Sequence, residues 1–261
     1  MSKLHQLKAS FHIYLGYSHD HFEMEDIHKL RVTIRKLKAL YAVLEFSLPA
    51  EFSKTDYNNS LKELFGRAGR VRENQINIQQ IQTQELKFLN PYLEYQFRAL
   101  KRNQRLFKSV IGDFDINDFE AQCEIILNQM ARFENQWCLE KISFYASNKL
   151  SKITILQQES MSDQVLHKIR KQFRTIGDVL SMFNKSDAEQ YSAVSVKQIK
   201  PINNKLGAWH DELVLTHSLE RFLKRHTEML ANKRFHDFFL RSEQKLEVEK
   251  KQIISLLSSW Q

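Results

Sequence analysis

The chain has 261 residues, of which 39 are Lys or Arg and 31 are Asp or Glu, so its formal net charge is +8. It contains only six glycines and three prolines, too few for the turns of a β-rich fold of this length, and long helices are therefore favoured. No stretch approaches the roughly 18 apolar residues of a spanning helix, and the N-terminus lacks the compact apolar segment of a signal peptide.

Helical periodicity predicts four elements in the first half, at residues 3–17, 24–46, 57–65 and 71–110. The last of them is interrupted at Asn90-Pro91, where Asn90 is expected to cap the continuation and Pro91 to occupy its first turn. The Gly112-Asp113 step then closes the first half.

The second half is predicted to contain five helices, at residues 118–149, 163–183, 187–205, 209–231 and 235–258. Ser162 is the expected N-cap of the second of these helices. Cys123 and Cys138 would share the first helix about 22 Å apart, too far to form a disulfide. Free thiols indicate a reducing compartment, so we expect a cytoplasmic protein.

Two segments of the chain resemble each other, and each occurs near the start of a predicted helix. Residues 28–38 read HKLRVTIRKLK and residues 167–174 read HKIRKQFR, with His, Arg and Arg at positions i, i+3 and i+7 of both. Gly69 follows His28 by 41 residues and Gly207 follows His167 by 40, and an acid follows each glycine four residues later. The nearly constant separation predicts an internal duplication, with repeats at about 1–112 and 113–261 in a single domain spanning 1–261.

The spacing of the first segment places its basic residues on one face of a helix, because positions i, i+3 and i+7 are close at about 100° per residue. This stripe borders the apolar face, so the charged groups are expected to lie in a groove between helices. Gly69 and Gly207 are expected at a helix end or a tight turn. Glu73 and Asp211 would then cap the next helix or pair with an arginine of the stripe.

The pattern His28-x-x-Arg31-Val32-x-x-Arg35-Lys36-Leu37-Lys38 resembles the signature of the CHAD (conserved histidine α-helical domain) family. Residues 69–73, GRVRE, resemble that family's later Leu-Gly-x-x-Arg-Asp element, and both elements recur in the second half. The resemblance implies an all-α fold of two pseudo-two-fold-related bundles, about four helices each, around a basic central cavity. It further implies binding of inorganic polyphosphate without catalysis, and therefore no cofactor.

The second segment departs from the family pattern, which usually continues with a basic and an aromatic residue. Here Arg174 is followed by Thr175-Ile176-Gly177-Asp178, so the second stripe is shorter and less basic. The first half is therefore expected to contribute more to a polyanion site.

Arginine forks bind phosphate oxygens bidentately and lysines supply point charge, so the basic residues of both segments are the candidate anion site. The candidates are His28, Arg31, Arg35, Lys36, Lys38, His167, Arg170, Lys171 and Arg174. Additional basic lining is considered at Arg72, Arg98, Lys101, Arg102 and Arg105, although the last four fit an exposed helix face equally well. The histidines could be structural, neutral donors to phosphate, or cations once phosphate is bound, whereas metal ligation is disfavoured beside arginines.

The sequence leaves three functional hypotheses open. It also leaves open whether a polyphosphate-binding protein of this kind associates with polyphosphate granules. The first is binding of inorganic polyphosphate or another phosphate-rich polyanion. The second is nucleic-acid binding on the same faces, which is disfavoured because few aromatic residues adjoin the arginines. The third is a helical scaffold for an unknown protein partner, in which the basic faces serve only solubility. An enzyme is not expected, since neither a nucleophile motif nor a Walker loop is present.

Overall fold

The computed structural model describes residues 3–182 and 195–260, apart from the side chains of residues 56–58. Within these ranges the chain forms nine α-helices and no strand, which confirms the all-α fold class. The helices are α1 Lys3–Asp20, α2 Met24–Ser47, α3 Lys54–Gln82, α4 Asn90–Gly112, α5 Ile116–Met130, α6 Asn135–Gln157, α7 Asp163–Leu180, α8 Val196–Arg225 and α9 Lys233–Ser259. Short 3-10 turns cover Lys87–Leu89 and Thr227–Ala231. Among the described residues no helix is both long enough and apolar enough to cross a membrane.

Helix α3 joins what the sequence predicts as one short helix at 57–65 and the start of the next element at 71. Gly66 and Gly69 lie inside it and do not interrupt it. A glycine in a helix interior costs about 1 kcal/mol relative to alanine. That cost is outweighed because this helix buries one apolar face in the core, through Leu61, Leu64, Ala68 and Val71.

The predicted helix at 118–149 is broken into two, because its two parts pack in different places. Phe119, Cys123 and Ile126 of α5 are buried with α1 and α2, whereas Ala146 and Ile153 of α6 are buried with α7 and α8. The core of the first half thus extends past residue 112. Both cysteines are free, as expected, but they lie on different helices.

The predicted helix ends are partly correct. Ser162 caps α7, because its hydroxyl accepts a hydrogen bond from the Val165 amide. Asn90 is not a cap: it is the first residue of α4, after Leu89, although Pro91 does occupy the first turn. The helices predicted at 187–205 and 209–231 are joined in one helix, α8, which ends at Arg225 and is followed by the 3-10 turn Thr227–Ala231. Residues 187–194 lie outside the described ranges.

Two smaller hydrophobic clusters bring the two halves of the chain together. Ala39 and Val43 of α2 pack with Tyr145 of α6 and Val179 of α7. A second cluster joins α3 and α4 to α8 and α9, and it contains Ile81, Tyr92, Leu219, Phe222 and Phe235. Because of these contacts, the helix that carries the first basic segment lies against the helix that carries the second. The pseudo-two-fold relation between the halves stays a prediction.

Candidate anion-binding cavity

A cavity of about 710 Å³ is lined by residues of α2, α3, α7 and α8. His28, Arg31 and Arg35 of the first segment and Arg170 and Arg174 of the second lie around it together. Seven cationic side chains line the cavity against three carboxylates, which leaves an excess of four positive charges. The cations are Arg31, Arg35, Arg70, Arg72, Arg170, Arg174 and Lys200, and the acids are Glu73, Asp178 and Asp211.

Arg31 is held tightly against α3. Its Nη1 donates a 2.6 Å hydrogen bond to the Phe65 carbonyl, and its guanidinium lies 4.1 Å from the centre of the Phe65 ring. A Cβ on Gly69 would lie 2.6 Å from the same Nη1. The prediction that Gly69 and Gly207 end a helix or form a turn is therefore wrong, since both lie inside helices. Gly69 is needed because the arginine approaches the helix backbone at this point.

Arg35 forms an ion pair with Asp178 of the second half. Its Nε donates to one carboxylate oxygen at 2.5 Å and its Nη2 donates to the other at 2.9 Å. The Asp178 side chain is only 5% exposed, against 30% for Arg35. This bidentate pair fixes α2 relative to α7, and it neutralises one of the cavity's cations.

The acids of the downstream elements do not cap helices, because both lie in the middle of one. Glu73 pairs with Arg221 across a 3.5 Å gap at the surface. Asp211 lies in the cavity, where burial raises the pKa of its carboxyl against the opposing effects of Arg170 and Arg72. Arg72, which lies close enough to Asp211 to affect its pKa, donates a hydrogen bond from Nη1 to the Met24 carbonyl at 3.1 Å.

The arginines of the second segment have the fewest partners. Nε of Arg170 is buried without a hydrogen-bond partner, and Arg174 forms neither a hydrogen bond nor an ion pair with any residue of the described ranges. Burial, followed by repulsion from Arg35, lowers the pKa of Arg174 to about 9, so this group still carries its charge at neutral pH. Arg31 and Arg35, by contrast, already bond to protein atoms. Among the arginines of the two basic segments, the free donors therefore lie in the second half. This disagrees with the expectation that the first half contributes more to a polyanion site.

The two segment histidines occupy different positions. His28 lines the cavity, whereas His167 lies behind it, with its ring centre 5.2 Å from that of His210. Burial lowers the pKa of both His28 and His167, and nearby cations lower it further, so both rings are largely neutral at pH 7. In the described part of the chain no group of three or more His, Cys, Asp or Glu could hold a metal ion.

Several predicted site residues are absent from the cavity wall. Lys38 lies over the Phe65 ring, 5.4 Å from its centre. Lys36 is half-buried elsewhere on α2, and Lys171 is exposed on α7. The additional lining considered on α4 is wrong for this cavity, because that face points to solvent; it carries Arg98, Lys101, Arg102 and Arg105. Arg72 is the one residue of the additional set that lines the cavity.

Besides the acids, five polar lining residues were not among the predicted site residues: Arg70, Lys200, Asn203, Asn204 and His210. Two of them, Arg70 and His210, belong to the downstream elements, which were interpreted as purely structural. The other three precede Gly207 by seven, four and three residues and therefore share its face of α8. This helical spacing from Gly207 is the sequence pattern from which their place in the cavity could have been predicted.

Comparison with known proteins supports the resemblance stated above. The family model described as CHAD domain matches residues 15–138. This sequence match is narrower than the whole-chain resemblance inferred from the motifs, since it does not reach the second segment at His167. No curated protein matches the chain.

A solved structure extends the likeness to the second half. The crystal structure of the CHAD domain from the plant Ricinus communis matches with a TM-score of 0.72, covering 99% of this chain and 90% of that one, at 11% sequence identity. At this identity the likeness concerns the fold. Residues 15–138 therefore match the CHAD domain family by sequence, and the chain as a whole has the fold of a CHAD domain.

Proposed function

We propose that this protein binds inorganic polyphosphate in the cavity, without catalysis. The observation that carries the proposal is the excess of four positive charges around one cavity, where the guanidinium groups of Arg170 and Arg174 form no ion pair with a carboxylate of the described residues. Gathering cations without anions costs electrostatic free energy, which a bound polyanion would recover. Arg31, Arg35, Arg170, Arg174 and His28 are the proposed anchors.

A linear polyphosphate suits this cavity better than a nucleic acid. Polyphosphate carries about one charge per phosphate along a flexible chain, and the planar guanidinium groups can each bind two of its oxygens. Binding of single-stranded nucleic acid usually requires aromatic faces on which bases stack. The phenyl ring that lines this cavity, Phe65, is already covered by Arg31. Nucleic-acid binding is therefore the second candidate.

Titration with polyphosphate of one defined length, at about 50 and about 200 mM salt, tests the proposal. Because counterions are released as phosphates enter, the dissociation constant should rise roughly tenfold or more over this range. The same titration with single-stranded RNA should give much weaker binding. Equal affinity for RNA would favour the nucleic-acid alternative, and binding of polyphosphate that does not change with salt would contradict the electrostatic mechanism.

Two further parts of the proposal have their own measurements. Incubation of the protein with polyphosphate and Mg²⁺ should release no phosphate, because the proposal assigns no catalytic step. We also propose a cytoplasmic location, and fluorescence microscopy of a tagged protein would show whether it collects on polyphosphate granules.

A further inference from the structure

The two downstream elements align Arg72 with His210. Each residue follows its glycine by three positions and precedes the acid by one, and both side chains line the cavity. Where the first half places a permanent cation, the second half thus places a group that can gain or lose its charge near neutral pH.

His210 lies among cations, and its ring nitrogen Nδ1 is buried without a hydrogen-bond partner. The neighbours that affect it most are on α7: Arg170, His167, Arg174 and Lys171. The other helices around the cavity also contribute charged or titratable groups: Arg70, Arg72 and Glu73 from α3, Lys200 and Asp211 from α8, and His28, Arg31 and Arg35 from α2.

We propose that His210 is a phosphate-binding residue that takes up one proton from solvent when the polyanion enters the cavity. The proposal rests on the polyphosphate function proposed above. The protonated ring, which lines the cavity, would donate a hydrogen bond to a phosphate oxygen of the bound polyanion. One proton is transferred from solvent to the imidazole, and no covalent bond to phosphorus forms or breaks.

The direction of the coupling follows from the charges around the ring. Burial, with the repulsion of Arg170 and the other α7 cations, lowers the pKa of His210 to about 3, so the free protein holds it neutral. A polyanion bound beside Arg170 and Arg174 replaces net repulsion with attraction, which raises the pKa of the imidazole. Proton uptake on binding requires that affinity increase as the pH falls, by at most about tenfold per pH unit for one proton.

The contribution of residue 210 to the pH dependence of binding is isolated by comparing three proteins: wild type, H210Q and H210R. Their affinity for polyphosphate of one length is measured at pH 8 and pH 6. His28 and His167 titrate in all three, so differences between them report on residue 210. Wild type should tighten about threefold to tenfold more than H210Q between these pH values. H210R, which repeats the arginine of the first half, should bind more tightly than wild type at pH 8 and change less with pH.

Calorimetry in buffers of different ionisation enthalpy counts the protons directly. Wild type should take up more protons on binding than H210Q at pH 6.5, and H217Q should match wild type, since His217 is an exposed residue of the same helix. Equal pH dependence and equal proton uptake in wild type and H210Q would overturn the role of His210 while leaving polyphosphate binding intact. Failure of wild type to bind polyphosphate at either pH would instead overturn the proposed function. If H210Q does not fold, H210R alone decides: a pH dependence equal to that of wild type would contradict the proposal.

Discussion

Arg35 and Asp178 lie 143 residues apart in the chain and form a bidentate ion pair across the two halves, with N–O distances of 2.5 and 2.9 Å. The pair limits the cavity's charge, since Asp178 supplies one of only three carboxylates that face its seven cations. It also stabilises the contact between α2 and α7. The pair therefore increases stability but reduces the positive charge available to a ligand. Substitution of Asp178 should change stability and affinity in opposite directions.

Replacing the acid in D178N should weaken the fold and strengthen binding. Loss of the charged acceptor leaves Arg35 with at most a neutral hydrogen bond, which should lower the free energy of unfolding by about 1–3 kcal/mol. The cavity's excess charge rises by one, so polyphosphate should bind roughly threefold to tenfold more tightly at low salt. Chemical denaturation and polyphosphate titration measure the two changes.

A matched control for this variant is E247Q, which removes one exposed acid from α9. It should change neither stability nor affinity appreciably. If D178N bound polyphosphate no better than E247Q, the Asp178 carboxylate would have no influence on the cavity's affinity.

Gly69 should be sensitive to a methyl group, whereas Gly66, one turn earlier on α3, should not. Alanine normally stabilises a helix interior by about 0.5–1 kcal/mol relative to glycine. G66A should gain this amount, because a Cβ there meets open space. In G69A the new Cβ would displace the Arg31 guanidinium from the Phe65 carbonyl, so this variant should be less stable than G66A by about 1 kcal/mol. Thermal unfolding compares the two, and equal gains would show that Arg31 does not depend on Gly69.

The second-half arginines should contribute more to binding than the first-half pair. Arg170 and Arg174 are free to donate to phosphate, whereas Arg31 and Arg35 already donate to Phe65 and Asp178. Since exchange of one hydrogen bond for another gains little, R170A/R174A should lose roughly tenfold more polyphosphate affinity than R31A/R35A. Both variants remove two charges, so net charge is matched. An equal loss would contradict this prediction, and a larger loss in R31A/R35A would support the stronger contribution of the first half that the sequence suggested.

His210 should also make the ligand-free protein less stable in acid. Its pKa is about 3 in the folded protein and about 6.5 in an unfolded chain, so the unfolded state binds the extra proton. The group therefore costs no stability above pH 6.5 and progressively more as the pH falls from 6.5 towards 3. At pH 5 wild type should lose about 1–2 kcal/mol more than H210Q, relative to pH 7.5. Denaturation curves at the two pH values test this, and parallel losses in both proteins would contradict the buried, neutral state of His210.

The sequence predicted the helical class and the pairing of the two segments because both depend on local spacing. His28, Arg31 and Arg35 recur in the pattern of His167, Arg170 and Arg174, and helix periodicity places each set on one face. Five of these six residues do line the cavity, and His167 lies just behind it.

The remaining features of the fold and the cavity depend on tertiary packing, which cannot be deduced from the spacing of residues along the chain. Gly69 looks like a helix terminator in isolation, and its role becomes visible only when Arg31 arrives from another helix. Asp178 looked like a loss of positive charge from the second stripe, but its partner lies 143 residues away. Helices α5 and α6 carry one continuous helical pattern, and they separate because their apolar faces pack in different clusters.

The central claim is that polyphosphate binds in the cavity and not on basic surfaces in general. Two quadruple variants test it with the same change in net charge: R31A/R35A/R170A/R174A in the cavity, and R98A/K101A/R102A/R105A on the exposed face of α4. The measurement is the dissociation constant for polyphosphate of one defined length at low salt, with circular dichroism to verify that both variants are folded. We expect the cavity variant to lose roughly a hundredfold or more in affinity and the α4 variant to lose less than about tenfold. Equal losses in the two folded variants, or a larger loss in the α4 variant, would contradict the account.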